Sequence, residues 1–308
     1  MRLGLFPGQG IPAKAAFDAL PAADPLLDTA KEILGYDLRQ KVGIASRRAK
    51  ATLPTSLAQP AIFTAGVISW RAAEADGEAF DWLAGHSLGE YTALVAASAM
   101  SFEDGLRAVA ARGNAMHEAA RAQPGGMVAV LGLDFDAVQE IADRAGLVLA
   151  NDNAPGQVVL SGGEDALAEA AGSARSAGGR AVLLEVSGPF HTPALEPAVP
   201  PLTDILESIE ITHPRIPVIS NVTARPHGDP DEIRKLLVQQ MLARVRFRES
   251  LVWLWNEGAR DYRDLGPGLV AGGLAKKTFS ELQKHAVDGG TDKTISTLDD
   301  KTKEAASA

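Results

Sequence analysis

The pattern of apolar and polar positions divides the chain into two kinds of structure. Short apolar runs at residues 3–6 and 80–84 are typical of buried strands in a parallel sheet. Residues 57–75 and 88–99 carry Ala, Leu and Val at the spacing of buried helices. Strands that alternate with helices in this way predict an α/β fold.

The pattern changes between residues 124 and 191. Four strand-like runs are separated by two helical patterns, at 127–131, 135–145, 147–150, 157–161, 166–177 and 180–186. This β-α-β-β-α-β order predicts a ferredoxin-like subdomain. Segments rich in Pro and Gly mark its entry and exit, so we expect it to be inserted into the α/β part.

The domain prediction follows from this insertion. A discontinuous catalytic subdomain is expected at residues 1–123 and 192–282, where α/β character resumes at 218–221, 231–243 and 262–268. The inserted subdomain occupies residues 124–191. After residue 283 the chain is polar and rich in Thr, Asp and Lys, and we expect a mobile tail at 283–308.

Composition excludes several classes of function. The chain has 308 residues, with 30 basic against 39 acidic side chains, and its net charge of −9 argues against nucleic acid as a partner. It has no cysteine, so disulfides and thiolate sites are excluded, and we expect no bound metal. Because the apolar runs are too short for a signal peptide or a membrane span, we expect no membrane partner and a cytoplasmic location.

Residues 85–91 (GHSLGEY) carry the strongest chemical signal in the sequence. They match Gly-x-Ser-x-Gly between a predicted strand and a predicted helix, which is the context of a nucleophile elbow. Such a turn leaves Ser87 at the positive end of a helix, where backbone N–H groups can bind an oxyanion. The motif alone fits esterases, lipases and thioesterases equally well, and an ordinary turn serine is the alternative.

Arg112 is the second unusual feature. It borders the apolar stripe of a helix predicted to begin after Ser101, so its guanidinium should be turned towards the interior. A charge near a core is unfavourable unless it is paired. Arg112 therefore has either a protein carboxylate or an anionic ligand as its partner, and the spacing leaves both open.

A serine nucleophile needs a base, and the chain has six histidines. Four are poorer candidates because they adjoin the serine, lie beside prolines in predicted surface turns, or belong to the tail: His86, His213, His227 and His285. His191 follows a strand at the hinge between the subdomains, and the pattern favours it over His117 on the arginine helix. No Asp is marked as a third member of a triad.

Seven motifs occur in the order found in malonyl-CoA:acyl-carrier-protein transacylases, and the resemblance covers residues 3–280. The motifs are 7–10 (PGQG), 57–61 (LAQPA), 85–91 (GHSLGEY), 112–113 (RG), 153–159 (NAPGQVV), 190–191 (FH) and 266–268 (GPG). The resemblance implies an α/β-hydrolase-like large subdomain interrupted by the ferredoxin-like one, with the site in the cleft between them. It also implies ping-pong transfer of a malonyl group from malonyl-CoA to the phosphopantetheine thiol of acyl carrier protein, without a tightly bound cofactor.

The resemblance assigns roles to individual residues. Ser87 would carry the malonyl group, and His191 would act first as general base and then as general acid. The backbone N–H groups of Gln9 and Leu88 would form the oxyanion hole. Arg112 would bind the malonyl carboxylate, which would explain an inward-facing arginine.

Two further residues, Gln59 and Phe190, are expected to line the acyl pocket, and the bulk of Phe190 favours malonyl over methylmalonyl. The family uses a main-chain carbonyl after the helix at 231–243 to orient the histidine, and we assign this place to residues 245–247. Arg246 stands there where the family commonly has Gln. Residues 10–12 (GIP) also depart from the family and are expected to alter the pocket entrance.

Three other functions remain open at this stage: an acyl hydrolase that edits acyl-carrier proteins, a transacylase for another alkylmalonyl-CoA, and a non-catalytic carrier-binding module. Arg112 argues against the hydrolase, which has less need of a diacid clamp. Because carrier proteins are acidic, we expect a basic patch near the cleft. Its candidates are residues 244–248, 276–277 and 39–50. The sequence does not decide between fatty acid and polyketide biosynthesis.

Overall fold

The computed structural model describes residues 1–47 and 52–287, and its strands form two separate four-stranded sheets. The strands are β1 (Arg2–Phe6), β2 (Trp82–Gly85), β3 (Gly126–Leu131), β4 (Val148–Ala154), β5 (Gln157–Gly162), β6 (Arg180–Leu183), β7 (Val218–Ile219) and β8 (Asp261–Asp264). The helices are α1 (Ala13–Asp18), α2 (Pro25–Leu34), α3 (Leu38–Arg47), α4 (Thr55–Ala75), α5 (Gly89–Ala96), α6 (Phe102–Ala122), α7 (Phe135–Ala145), α8 (Glu164–Ser176), α9 (Val199–Ser208), α10 (Pro230–Gln240), α11 (Phe247–Asn256) and α12 (Val270–Val287).

The first sheet has the strand order β7-β2-β1-β8, and all its pairings are parallel. Side chains on its two faces belong to two different core clusters, with Phe6 and Leu83 in one and Leu3 and Leu5 in the other. Burial on both faces explains why the central strands β1 and β2 are short apolar runs. The carboxyl ends of the adjacent strands β1 and β2 lie together, which brings the loop after Phe6 next to the loop after Gly85.

The second sheet is antiparallel, with the order β4-β5-β3-β6. Its elements follow one another as β-α-β-β-α-β, as the sequence predicts. Helices α7 and α8 cover one face with a core of its own, which includes Val128 and Val130. The alternate residues Met127 and Ala129 point to the other face and join the main core. The chain therefore has an α/β part with a parallel sheet and a separate antiparallel sheet.

The two parts are joined along β4 and the start of α11. The N–H of Asp152 donates to the carbonyl of Val245 at 2.9 Å, and the N–H of Val245 donates to Ala150 at 2.8 Å. The guanidinium of Arg248 binds both carboxylate oxygens of the buried Asp152, with Nε 2.8 Å from Oδ1. These contacts fix the edge of the small sheet against the large part.

The predicted elements exist, and their boundaries differ by a few residues. Helix α4 begins two residues earlier than predicted, at Thr55, and α10 ends three residues earlier, at Gln240. Helix α12 continues to Val287, past the predicted start of the tail, and residues 288–308 lie outside the described part. Within residues 1–47 and 52–287, no helix is both long and apolar enough to span a bilayer.

Candidate active site

The segment after β2 is a sharp turn into α5. Ser87 has φ of +50°, an uncommon conformation for a residue other than glycine. A Cβ on Gly85 would overlap the carbonyl carbon of Gly89, and a Cβ on Gly89 would overlap the carbonyl oxygen of Phe6. Both positions therefore require glycine. The turn has the geometry that the motif predicts for a nucleophile elbow.

Asn221, which follows β7, ties this turn together. Its Oδ1 accepts a hydrogen bond from the backbone N–H of Ser87 at 2.6 Å, and its Nδ2 donates to the carbonyl of Gly85 at 2.7 Å. The side chain is buried. The sequence interpretation missed this role, although Asn221 stands at the carboxyl end of a predicted strand, where the sites of α/β proteins are assembled.

Ser87, His191 and Gln240 form a hydrogen-bonded chain. His191 Nε2 lies 2.8 Å from Ser87 Oγ, and His191 Nδ1 lies 2.9 Å from the main-chain carbonyl of Gln240. Because a carbonyl only accepts, Nδ1 carries the proton and donates to it, which leaves Nε2 free to accept the serine proton. The orienting carbonyl belongs to Gln240, so its assignment to residues 245–247 was wrong.

His191 is neutral in this arrangement. Burial, together with the positive charge of Arg112, lowers its pKa to about 3, from an ordinary value of 6.5. The hydrogen bond to the carbonyl of Gln240 opposes this shift, because it favours the protonated ring. His191 is thus an unprotonated base at neutral pH, next to a serine hydroxyl that is itself buried.

Arg112 is fully buried, and its hydrogen bonds to the described residues all go to neutral groups. Its Nη1 donates to Gln59 Oε1 at 2.7 Å, and its Nη2 donates to Ser87 Oγ and Gln240 Oε1, both at 3.0 Å. Among the residues that the structure describes, Arg112 has no carboxylate at ion-pair distance, and its Nε has no hydrogen-bond partner. Of the two alternatives for Arg112, a protein carboxylate and an anionic ligand, the structure favours the anionic ligand.

The nearby carboxylate of Glu90 is directed elsewhere. It accepts hydrogen bonds from the N–H of Asn221 at 3.0 Å, from Gln240 Nε2 at 2.8 Å and from His227 Nε2 at 2.8 Å. The His227 side chain is buried, so its placement in a surface turn was wrong. Glu90 holds the amide of Gln240 in the orientation that presents Oε1 to Arg112.

The predicted oxyanion-hole residues are Gln9, which lines the same cleft as Ser87, and Leu88. Leu88 follows Ser87 directly, and Gln9 belongs to the loop after β1, which packs so closely that a Cβ on Gly8 would lie 2.7 Å from the carbonyl oxygen of His86. Within residues 1–47 and 52–287, neither the backbone N–H of Gln9 nor that of Leu88 donates a hydrogen bond. Two unpaired N–H groups beside a nucleophile can stabilise a developing oxyanion.

A cleft of about 520 Å³ reaches this group from the surface, between the two parts of the chain. Ser87, His191 and Phe190 line it, and so does Pro12 of the loop at residues 10–12, whose sequence differs from the family's. Gln59, which we expected to line the pocket, lies behind Arg112 and is fully buried. Its role is to support the guanidinium.

Comparisons with known proteins identify the family of the chain. The chain matches the acyl transferase domain family over residues 28–262. It is 40% identical to the malonyl CoA-acyl carrier protein transacylase of Bacillus subtilis, with 92% of each chain covered. The chain belongs to the acyl transferase family.

Two of the other proteins similar to this acyl transferase come from polyketide synthesis. It is 40% identical to the polyketide biosynthesis protein ThaF of Burkholderia thailandensis, over 91% of this chain and 24% of that protein. A solved complex of a type II polyketide synthase acyl-carrier protein with its malonyl-transacylase matches with a TM-score of 0.81, at 33% identity, covering 91% of this chain and 93% of that one. The malonyl transacylase from Streptococcus pneumoniae matches with a TM-score of 0.79 at 36% identity, covering 90% and 92%.

The three candidates for a basic patch on this acyl transferase differ in whether their charges are paired within the protein. Arg244 and Arg246 both bind the carboxylate of Glu249, and Arg248 binds Asp152, so the arginines of residues 244–248 are internally paired. Lys276 and Lys277 are exposed on α12. The stretch 39–50 is described only to residue 47, and its remainder lies outside the described residues.

Proposed function

We propose that this protein transfers a malonyl group from malonyl-CoA to the phosphopantetheine thiol of an acyl carrier protein, through a malonyl ester of Ser87. The observation that carries the proposal is Arg112, a buried guanidinium without a carboxylate partner among the described residues, 3.0 Å from the nucleophile. The name of the Bacillus subtilis relative supports the same substrate pair.

In the first half-reaction, Ser87 Oγ attacks the thioester carbonyl of malonyl-CoA and gives its proton to His191 Nε2. The Gln9 and Leu88 amides stabilise the tetrahedral oxyanion. Collapse of the intermediate breaks the C–S bond, and the coenzyme A sulfur leaves with the proton from His191. The products are free coenzyme A and a malonyl-serine ester.

Arg112 makes the reaction selective for a short diacid. The malonyl carboxylate is separated from the ester carbonyl by a single methylene, so it stays close to Ser87, where Arg112 Nη2 already lies. A guanidinium binds a carboxylate with two parallel hydrogen bonds, which fixes the acyl group as well as selecting it. Acetyl groups make no such contact. The bulk of Phe190 beside His191 favours malonyl over methylmalonyl.

The second half-reaction reverses the first with a different thiol. His191 takes the proton of the carrier phosphopantetheine thiol, the sulfur attacks the malonyl ester, and Ser87 leaves with the proton from His191. Water must be kept from the ester in the interval. Ser87 and His191 are 6% and 4% exposed, so little solvent reaches the bond.

The proposal includes the finer description of the fold. The parallel sheet with its elbow is assigned to an α/β-hydrolase-like subdomain, at residues 1–123 and 192–282. The antiparallel sheet of residues 124–191 is assigned to a ferredoxin-like subdomain, because its strand order β4-β5-β3-β6 supports that topology. The cleft between the two subdomains is the proposed substrate site, and no tightly bound cofactor takes part.

The test is to follow both half-reactions with radiolabelled malonyl-CoA. The protein should become labelled on Ser87 without carrier, and adding holo carrier protein should move the label to the carrier. The Ser87→Ala variant is the control and should take no label. Free malonate as the main product would contradict the transferase and favour an acyl hydrolase. Absence of any acyl-enzyme would favour a carrier-binding module.

A further inference from the structure

His227 is a buried histidine that the proposed reaction does not use. Its backbone N–H donates to the carbonyl of Val218 in β7 at 2.9 Å, which anchors the residue beside that strand. Its side chain is fully buried, and its Nε2 lies 2.8 Å from Glu90 Oε1. Among the described residues, its Nδ1 has no hydrogen-bond partner. The contact with Glu90 is therefore the only hydrogen bond of this ring within the described part of the chain.

The buried carboxylate of Glu90 has one donor on Oε1 and two on Oε2. His227 supplies the first, and the N–H of Asn221 and Gln240 Nε2 supply the others, at 3.0 Å and 2.8 Å. Because a carboxylate only accepts, Nε2 of His227 carries the proton of this contact. Without His227, Glu90 Oε1 would be a buried acceptor with no donor among the described residues, which is unfavourable.

Arg112 is the cation that a released Glu90 carboxylate would reach. Only the amide of Gln240 stands between the two groups, because its Nε2 donates to Glu90 and its Oε1 accepts from Arg112 Nη2 at 3.0 Å. Arg112 Nε has no partner among the described residues, so the guanidinium can donate a further hydrogen bond. Burial lowers the pKa of Arg112, and the side chains of Tyr91 and Glu90 oppose that shift, so Glu90 already acts on the guanidinium through space.

An ion pair between Glu90 and Arg112 would compete with the substrate, because the malonyl carboxylate needs the same guanidinium. From these contacts we propose that His227 is a positioning residue for substrate selectivity. It holds the carboxylate of Glu90 away from Arg112 and so keeps the guanidinium available to the malonyl group. This inference rests on the proposed function.

Loss of the His227 contact should leave the proposed acyl-transfer groups in place. The carbonyl of Gln240 that accepts from His191 belongs to the main chain, and Gln240 Nε2 keeps a second acceptor, the carbonyl of Ser87 at 2.9 Å. Acylation by an acetyl group, which needs no cation, should therefore continue. His227 controls the preference for a diacid and not the rate that both acyl groups share.

The experiment measures kcat/KM for acylation of Ser87 by radiolabelled malonyl-CoA and by radiolabelled acetyl-CoA, together with the unfolding temperature. His227→Leu removes the donor to Glu90. His227→Gln is the control, because the Nε2 of glutamine can donate from nearly the same place. The double variant His227→Leu with Glu90→Gln removes the carboxylate as well. Should His227→Leu fail to fold, His227→Asn replaces it, since its shorter amide does not reach Glu90.

The ratio of kcat/KM for malonyl-CoA to kcat/KM for acetyl-CoA should fall by about tenfold in His227→Leu, because Glu90 then neutralises the guanidinium. The ratio should stay near the wild-type value in His227→Gln. It should return to that value or above it in the double variant, which has no carboxylate to pair with Arg112.

A purely structural role of His227 predicts a lower unfolding temperature with equal losses for both thioesters, and that result would overturn the inference. An unchanged ratio in His227→Leu, or a double variant as unselective as His227→Leu, would also overturn it. A wild-type protein that forms no malonyl-enzyme would instead contradict the proposed function.

Discussion

Arg112 Nη2 donates a hydrogen bond to Ser87 Oγ at 3.0 Å, so the buried cation is in direct contact with the serine that we propose as the nucleophile. The remaining partners of the guanidinium are the neutral amide oxygens of Gln59 and Gln240. A buried charge without a counter-charge is destabilising. We therefore expect the guanidinium of Arg112 to bind an acyl group beside Ser87 more strongly when that group carries a negative charge.

Arg112→Ala should reduce malonyl transfer far more than acetyl transfer. Losing one partner of a buried charge pair costs about 2–5 kcal/mol, which corresponds to a loss of roughly 30-fold to several thousand-fold in kcat/KM for malonyl-CoA. The unfolding temperature should also fall, because a large buried side chain is removed and the amide oxygens of Gln59 and Gln240 lose their donor. Arg112→Lys is the control and should recover part of the selectivity. Equal losses with malonyl-CoA and acetyl-CoA would show that Arg112 does not bind the carboxylate.

Gln59→Glu should weaken malonyl-CoA binding by neutralising the guanidinium of Arg112 and not by removing it. The new carboxylate would lie where Gln59 Oε1 now accepts from Arg112 Nη1, so the protein itself would neutralise the guanidinium. We expect KM for malonyl-CoA to rise by about tenfold or more, with a smaller effect on acetyl-CoA. Gln59→Met serves as the uncharged control. Steady-state kinetics with both thioesters would contradict the prediction if the two KM values rose together.

The pH dependence of acylation should lack a step at the ordinary histidine pKa. Because burial and Arg112 lower the pKa of His191 to about 3, the base stays unprotonated as the pH falls from 7 towards 5. In the acyl-enzyme the malonyl carboxylate offsets the charge of Arg112, so the pKa of His191 should rise. Transfer to pantetheine should therefore lose rate at a higher pH than kcat/KM for acylation does, because kcat/KM reports the free enzyme, in which no malonyl carboxylate faces Arg112. Quenched-flow measurement of each half-reaction tests this. An acylation rate that falls to half its maximum at a pH of about 6.5 would refute it.

Asn221→Ala should loosen the nucleophile turn. The substitution leaves the Ser87 N–H and the Gly85 carbonyl without their partner, and each unsatisfied buried group costs about 1–3 kcal/mol. We expect a lower free energy of unfolding in urea and slower acylation. Asn221→Asp should recover only the hydrogen bond accepted from the Ser87 N–H, because a carboxylate cannot donate to the Gly85 carbonyl. Unchanged stability together with unchanged labelling would show that the contact contributes nothing.

Arg248→Ala should destabilise the junction between the two sheets. It would leave the buried carboxylate of Asp152 without its counter-charge, at a cost of about 3–5 kcal/mol. The double variant Asp152→Asn with Arg248→Gln removes both charges and should recover most of the lost stability. Thermal unfolding of the two variants decides the point. If the double variant is as unstable as Arg248→Ala, the uncompensated charge is not the cause.

The sequence predicted the nucleophile well because its signal is local. The glycines at 85 and 89 can be recognised from the motif, and the structure shows the close contacts that require them. The order of strands and helices was also predictable, since hydrophobic periodicity follows from which side of each element is buried. The structure places His191, which the sequence pattern favoured as the base, 2.8 Å from Ser87 Oγ, and its role in catalysis stays a prediction.

The partners of these residues were decided only by the tertiary structure. Every residue has a carbonyl, so nothing in the sequence marks Gln240 as the one that orients His191. Nor does the sequence reveal that His227 and Gln240 hold Glu90, so that Arg112 has no ion pair among the residues the structure describes. The sequence by itself determined the elbow, the family and the serine. Packing between residues 25 to 153 positions apart in the chain decided the electrostatics around Ser87, because hydrogen-bond geometry and desolvation depend on distances that chain order does not encode.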